Sequence, residues 1–235
     1  MNDFFRFPHT PHLAWLGAGA PRDDKVLDAA AARALLSGEV IVEEKLDGAN
    51  LGVSLDGDRV LRLQNRGQYL IPPLTGQFSR AAGWIAAHQQ TLAPVLGDNL
   101  ILFGEWCAAR HSIVYSRLPD WFFVFDVYDR MARRFWSAAR RDALAARIGL
   151  AVVPQVARGS LTLRSVEDLA TTRISGFGDT PMEGVIVRRD GANYLEDRAK
   201  IVRPSFTQGI DEHWRTRRIE WNALAPARQE RQKAT

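Results

Sequence analysis

Short runs of apolar residues recur along this chain between charged residues and tight turns, a pattern that predicts β-strands. Two of the segments, 100–106 and 121–128, are rich in aromatic and β-branched residues, which is typical of buried strands. Asp-Gly pairs at 56–57 and 190–191 separate neighbouring segments and indicate tight hairpin turns. The predicted strands are residues 40–44, 49–55, 59–64, 100–106, 121–128, 184–189 and 199–202.

The segments between the strands have helical spacing of apolar residues or a high alanine content. The predicted helices are residues 27–37, 76–96, 137–148, 165–170 and 206 to about 224. Strands dominate the middle of the chain and helices lie between them. We therefore expect an α+β fold in which antiparallel β-sheets are flanked by helices.

The composition is that of a globular protein, because 46% of the 235 residues are hydrophobic and 25% are charged. The longest uninterrupted apolar stretch, 121–125, is far shorter than the ~18 residues of a membrane span. A single cysteine excludes an internal disulfide framework and a cysteine-rich zinc site. The first residues lack a basic region followed by an apolar one, so we expect a cytoplasmic protein.

The positive charge is carried unequally by arginine and lysine. The net charge of +4 is compatible with a nucleic-acid partner. Of the 31 basic residues only four are lysines, Lys25, Lys45, Lys200 and Lys233. A bias of the coding sequence toward arginine explains much of this. Arginine cannot lose its proton at usable pH, so a retained lysine can mark a position that needs a free amine.

Lys45 directly follows an apolar strand, in the sequence EKLDGAN. Partial burial at a strand end would lower the pKa of this amine, and a neutral amine is a nucleophile. The alternative is an exposed lysine in a hairpin turn.

Three further charged residues lie in or at apolar strands: Glu105 in FGEW, Glu183 in MEGVIV and Lys200 in AKIVR. Each alone could be a structural residue with a satisfied partner. Together, carboxylates are suited to bind a divalent metal and cations to bind a triphosphate.

Six motifs in order then resemble those of the covalent nucleotidyltransferases, the DNA ligases, RNA ligases and capping enzymes. They are EKLDGAN, NRG at 65–67, FGEW, FVFD, EGVIV and AKIVR. The similarity runs from about residue 40 to about 215, and is strongest to the ATP-dependent RNA ligases of the phage nick-joining type and their small bacterial relatives. This resemblance implies an adenylyltransferase (nucleotidyltransferase) domain of the ATP-grasp-like ligase type.

The resemblance also implies chemical roles. Lys45 would attack the α-phosphate of ATP and form a Lys–AMP phosphoramidate. Lys200 would bind the α-phosphate and further depress the pKa of Lys45. Glu183 would bind a catalytic Mg²⁺ or Mn²⁺.

Other residues would bind the nucleotide. By the same resemblance, Phe125 would stack on adenine and Glu105 would bind the ribose hydroxyls. Asn50 and Arg66 would lie near the sugar and phosphate, and Glu44 would contribute at the adenine edge through its backbone.

The chain departs from the family pattern in two places. Where the family often has Lys-x-Lys, this chain has Val202 at the second lysine position, so Arg203 is the candidate to bind phosphate instead. After residues 1–204, the expected adenylation domain, 205–235 would form a short helical tail rather than an OB-fold.

The expected reaction joins an RNA 5′-phosphate to a 3′-OH, with an end-processing protein as a candidate partner. The alternatives are a DNA ligase, a capping-type enzyme or a weakly active nucleic-acid-binding subunit that depends on a partner.

Overall fold

The computed structural model describes residues 4–19, 21, 25–208 and 218–226. These residues contain ten β-strands and five α-helices. The strands are β1 (Glu39–Lys45), β2 (Ala49–Leu55), β3 (Leu61–Gln64), β4 (Leu100–Trp106), β5 (Phe122–Asp129), β6 (Arg134–Phe135), β7 (Ala151–Val152), β8 (Gln155–Ser160), β9 (Gly184–Asp190) and β10 (Leu195–Val202). The helices are α1 (Ala29–Leu35), α2 (Ala81–Leu96), α3 (Ala138–Ile148), α4 (Leu163–Thr172) and α5 (Pro204–Gln208), with a 3₁₀-helix at Gly76–Phe78.

The smaller sheet has four antiparallel strands in the order β10–β9–β1–β8. Val42, Val187 and Ala199 are paired across three of its strands and are buried in one apolar cluster with residues of α1 and α4. Because side chains alternate along a strand, the neighbouring Arg188 and Lys200 face the other side of the sheet. That side carries the charged residues of the candidate site.

The larger sheet has the strand order β3–β2–β4–β5–β6, and β7 adds to it in parallel beside β5. All other pairs between the ten named strands are antiparallel. This confirms the predicted α+β architecture apart from one short strand. One face packs apolar residues such as Val53 and Leu102 against α2 and α3. On the other face, Phe103 and Tyr128 cluster with Phe7 of the N-terminal segment.

The chain passes from one sheet to the other at residues 46–48. Lys45 is the last residue of β1 in the smaller sheet, and Ala49 is the first residue of β2 in the larger one. The connection is close-packed, since a Cβ on Gly48 would lie 2.6 Å from the carbonyl oxygen of Trp106. Lys45 is therefore held at the junction of the two sheets.

Local sequence fixes several helix ends. The Asp28 side chain accepts a hydrogen bond from the Ala31 amide at the start of α1. Thr162 and Ser165 form a capping box at the start of α4. Gly149 ends α3 with a φ of 71°, a conformation that glycine adopts at little cost.

The structure differs from the sequence-based prediction in its shortest elements. Strands β6 and β7, of two residues each, and β8 were not predicted. Helix α2 begins at Ala81, because the residues from 76 form a separate 3₁₀ turn. No helix in the described part of the chain is both long and apolar enough to cross a membrane.

The prediction of a helix from 206 to about 224 is correct for residues 206–208 and wrong for residues 218–224. Helix α5 ends at Gln208, and residues 218–226 are extended. Trp221 and Leu224 form isolated bridges with Ala109 and Leu118, so the backbone here bonds to another segment instead of to itself. Residues 209–217 of the predicted helix lie outside the described residues.

Candidate active site

A cavity of about 1010 Å³ lies between the two sheets. Eight of the nine site residues expected from the sequence line it: Glu44, Lys45, Asn50, Arg66, Glu105, Phe125, Glu183 and Lys200. Arg203 does not line it. Its guanidinium donates to the carbonyl of Met182 and to the Ser205 hydroxyl instead.

The Lys45 amine and the Glu183 carboxylate form an ion pair at the cavity, with 2.5 Å between Nζ and Oε1. The strand register produces this contact, because Lys45 is paired with Gly184, the residue after Glu183. The Lys45 side chain keeps 25% of its surface exposed, so the amine is accessible from the cavity.

The pKa of Lys45 differs from the sequence-based expectation. Burial of the amine lowers its pKa, but three nearby carboxylates outweigh this effect and raise the pKa above its ordinary value, those of Glu183, Glu105 and Asp47. The prediction of a lowered pKa is therefore wrong for the protein without ligand. Nucleophilic use of this amine requires that the carboxylate charge around it be neutralised.

Two of the carboxylates that line the cavity, those of Glu105 and Glu183, have raised pKa values. Burial raises the pKa of Glu105 to about 8 and that of Glu183 to about 7, although the charge of Lys45 opposes both shifts. Both values lie near neutral pH, where each group can bind or release a proton or exchange it for a metal ion.

Asp47 anchors the connection between the sheets. Its Oδ2 accepts hydrogen bonds from the backbone amides of Ser112 (2.7 Å) and Ile113 (2.8 Å). Its own amide donates to the Tyr115 hydroxyl at 2.8 Å. The turn after Lys45 is thus attached to the loop 107–118 by three hydrogen bonds.

Residues of the larger sheet line the opposite wall. Asn50 and Glu105 are partners in the β2–β4 register, and Glu105 accepts a bond from the Gly48 amide at 3.2 Å. Arg66 is exposed at the rim. The Phe125 ring lies 5.2 Å from that of Phe7.

Two buried acceptors in the cavity have no hydrogen-bond partner among the described residues, Glu44 Oε1 and Asn50 Oδ1. The other carboxylate oxygen of Glu44 accepts from the Gly176 amide at 3.2 Å, and its backbone N–H donates to the Pro154 carbonyl. Burial raises the pKa of Glu44, while hydrogen bonds from Ser175 and Gly176 oppose the rise. Unsatisfied buried acceptors are costly, and neither oxygen is accessible from the cavity, so a ligand would reach them only after their side chains moved.

A network of buried charges forms the floor of the cavity. Arg141 donates to Glu43 at 2.6 Å, and Arg188 donates to Asp126 at 2.7 Å. Arg198 also pairs with Asp126. Arg141 and Arg188 both donate to the Phe125 carbonyl oxygen, at 2.8 and 3.1 Å, and so fix the backbone of the residue expected to stack on a base.

Lys200 and Val202 both line the cavity from β10. The position of the second family lysine thus faces the site, but it carries an apolar side chain. Arg203 is one residue further along, after the end of the strand.

Sequence reasoning missed the N-terminal wall of the cavity. Residues 11–13 form backbone bonds with Lys200 on one side, and His12 bonds to residues 25 and 27 on the other. This extra strand places Phe7, His12 and Trp15 along the cavity. His111, for which the sequence indicated no role, also lines it and lies 2.7 Å from Gln77 Oε1. Arg188 and Arg198 carried the same signal as Lys200, a charge inside an apolar strand.

Residues 38–202 match the protein-family model described as RNA ligase. The chain belongs to the RNA ligase family. A search of curated protein sequences finds no match.

Solved RNA ligases have the same fold as this family member. Naegleria gruberi RNA ligase, as an arginine-to-alanine variant with ATP and Mn, aligns with a TM-score of 0.62 and 17% identity over 88% of this chain and 62% of that one. The same ligase with PPi gives 0.58 and 17% over 87% and 63%. Its lysine-to-methionine variant with AMP and Mn gives 0.59 and 17% over 87% and 63%. This chain spans about three fifths of the length of those ligases.

The residues of this RNA ligase domain fit a divalent metal of the magnesium type. No group of three or more His, Cys, Asp or Glu side chains in the described ranges is placed to hold a metal on its own. Mg²⁺ is commonly bound through one or two carboxylates together with substrate phosphates and water. Glu183 is buried and lines the cavity, and its carboxylate oxygens are suited to bind the metal in this way.

Proposed function

We propose that this protein is an ATP-dependent RNA ligase that reacts through a covalent Lys45–AMP intermediate. The observation that supports this most directly is the placement of Lys45. It lies at the junction of the two sheets, is exposed to the cavity and contacts Glu183 at 2.5 Å, with Lys200 on the same cavity wall. Family membership supplies the reaction class.

In the first step, the neutral Lys45 amine attacks the α-phosphorus of ATP. A P–N bond forms, the bond to the oxygen bridging the α- and β-phosphates breaks, and pyrophosphate leaves. Glu44 would contribute at the adenine edge through its backbone, and Asn50 would lie near the sugar and phosphate. Phe125 would stack on the base, and Glu105 would bind the ribose hydroxyls.

The charge of the cavity favours a metal-dependent reaction. Five acidic residues line it, Glu43, Glu44, Glu105, Asp126 and Glu183, against five basic ones, Lys45, Arg66, Arg188, Arg198 and Lys200. The raised pKa values of Glu105 and Glu183 leave both groups partly protonated near neutral pH, so the lining is slightly positive and most of the charge of a triphosphate stays uncompensated. A divalent cation at Glu183 would supply positive charge beside the α-phosphate. Neutralising Glu183 removes a charge that raises the pKa of Lys45, so burial then favours the neutral amine.

In the later steps, an RNA 5′-phosphate oxygen attacks the phosphorus of Lys45–AMP and the P–N bond breaks. The RNA 3′-OH then attacks the adenylated 5′ end, a phosphodiester forms and AMP leaves. Lys200 stays beside the phosphate in each step.

Covalent labelling tests the first step. The purified protein, first treated with pyrophosphate to remove bound AMP, is incubated with α-labelled ATP and Mg²⁺ or Mn²⁺ and run on a denaturing gel. We expect an acid-labile labelled band that Lys45→Arg abolishes, since a guanidinium is not a nucleophile at this pH. Lys25→Arg is the matched control and should keep the label, because Lys25 is exposed and does not line the cavity.

Two outcomes would refute the proposal. Label retained in Lys45→Arg would exclude Lys45 as the nucleophile, and absence of label in the pyrophosphate-treated wild type would exclude adenylation. Nicked RNA, DNA and hybrid duplexes then identify the acceptor. Equal sealing of an all-DNA nick would overturn the RNA assignment.

A further inference from the structure

Residues 218–226, which we call the C-terminal strap, lie extended along the loop 107–118. Backbone bonds join the two segments along their length: Arg110 to Glu220, Asn222 to Ala108, Ala223 to Tyr115, Leu118 to Ala223 and Ala225 to Leu118. The strap lies beyond residue 202, where the match to the RNA ligase family ends.

Asn222 is the buried centre of this contact, with 5% of its surface exposed. Its Oδ1 accepts from the Tyr115 amide at 2.9 Å. Its Nδ2 donates to the carbonyl of Cys107 at 2.8 Å, with a weaker contact to Ala109 at 3.4 Å. One side chain therefore joins the two ends of the loop.

The opposite side of the same loop binds residues 46–48, the turn that follows Lys45. The amides of Ser112 and Ile113 bind the Asp47 carboxylate, and the Tyr115 hydroxyl accepts from the Asp47 amide. Tyr115 thus bonds Asn222 through its backbone and Asp47 through its side chain. Asp47 is two residues from Lys45, in the connection that joins the two sheets.

We propose that Asn222 is a positioning residue for the adenylation of Lys45. It fixes the shape of loop 107–118, and the loop fixes Asp47 and hence the turn that aims the Lys45 amine. The inference rests on the proposed function, because it concerns the same nucleophile. It extends the machinery of this chain past the family-matched region to a segment that does not line the cavity.

The hydrogen bonds define what a variant should do. In Asn222→Ala the Tyr115 N–H and the Cys107 carbonyl lose their side-chain partner inside the protein, so the loop is free to shift. Small displacements of a nucleophile are costly, with a misplacement of about 1 Å reducing rates by about 10²-fold. We expect the single-turnover rate constant for adenylation to fall by about 10- to 100-fold, with less than about a threefold change in the KM for ATP.

The test separates positioning from folding by recording rate and amplitude of labelling. A purely structural role predicts fewer labelled chains that still react at the wild-type rate. Positioning predicts a slower rate at undiminished amplitude. Glu220→Gln is the matched control, because it removes only the exposed ion pair of the strap with Arg110, and it should react like wild type.

Tyr115→Phe removes the hydroxyl that binds the Asp47 amide, so it breaks the same link from the side of the loop. It should slow adenylation as well, and it replaces Asn222→Ala as the test if that variant fails to fold. In the double variant, the two losses should be far less than multiplicative, since both act through Asp47. Wild-type rate and KM in Asn222→Ala, or fully multiplicative losses, would overturn the proposal.

Hydrogen exchange gives a readout that does not depend on activity. In Asn222→Ala, the amides of Asp47, Ser112 and Ile113 should exchange at least tenfold faster than in wild type. Native protection of these amides would overturn the inference even if adenylation itself failed. Faster exchange in a chain that never labels would uphold the link and reject only the proposed function.

Discussion

Gly184, the first residue of β9, offers a direct test of how the active site is built. A Cβ at this position would lie 2.0 Å from the Ile201 carbonyl oxygen and 2.9 Å from the Val202 Cα. Real Cβ contacts essentially never fall below 3.0 Å, so the Ile201 carbonyl would have to retreat by at least 1 Å. Both obstacles are backbone atoms, and no side-chain rotation can relieve them.

The cost of Gly184→Ala follows from that displacement. Overpacking a close-packed interior costs about 1–3 kcal/mol. Loss of two adjacent β9–β10 hydrogen bonds costs about 0.5–1.5 kcal/mol each. The free energy of unfolding should therefore fall by roughly 2–6 kcal/mol. Gly184 also pairs with Lys45 on its other side, so the shift should disturb the Lys45–Glu183 contact and slow adenylation.

Thermal unfolding and single-turnover labelling together measure this effect. The Tm of Gly184→Ala should drop by roughly 4–24 °C for a chain of this size. Gly191→Ala in the same hairpin is the matched control, since its Cβ would meet only the flexible Glu196 carboxyl group at 2.8 Å. If Gly184→Ala melts within about 2 °C of wild type and labels normally, the described packing of β9 against β10 is wrong.

Three other variants test the charges of the site. Glu183→Ala should slow AMP transfer by about 10²-fold or more while the Tm stays near wild type, and an unchanged rate would remove Glu183 from the metal site. Between pH about 4.5 and 8, folded Glu105 holds a proton that the unfolded chain has released, so the free energy of unfolding falls as pH rises through this window. Glu105→Gln should flatten that fall in urea titrations, and an unaltered slope would contradict the raised pKa. Arg141→Met removes the closer of the two buried guanidinium groups paired with Glu43, leaving only Arg188 at 4.0 Å, and should cost about 3–5 kcal/mol in urea unfolding. Adding Glu43→Gln should recover much of this loss, and no recovery would argue against the pair.

The sequence predicted some of the cavity-lining residues that carry a charge in or at an apolar strand, and it missed Arg188 and Arg198. Lys45, Glu105 and Lys200 stand out because a charge there is costly unless it faces a cavity or a partner. Arg203 was assigned from the resemblance, as a substitute for the second lysine of the family's Lys-x-Lys pattern, and it does not line the cavity. Side-chain direction alternates along a strand, so Lys200 and Val202 share a face, and Arg203 falls after the strand has ended.

The remainder depended on contacts between distant segments. The direction of the Lys45 pKa shift was unpredictable, because two of the three carboxylates that raise it, Glu183 and Glu105, come from distant segments. His12 reaches the cavity only because residues 11–13 join β10 at its edge. The sequence predicted a helix for residues 218–224 of the strap. Their extended form results from backbone hydrogen bonds to loop 107–118.

The buried charges beneath the cavity have a consequence for how the two sheets come apart. Glu43, Arg188 and Arg198 belong to the smaller sheet, and Asp126 belongs to the larger one. Any separation at this floor would leave ions stripped of both partner and solvent, a state of very high free energy. We expect the sheets to unfold in a single cooperative transition. Breathing motions that admit a nucleotide and release its products should then be confined to the outer rim, near Arg66 and the N-terminal wall.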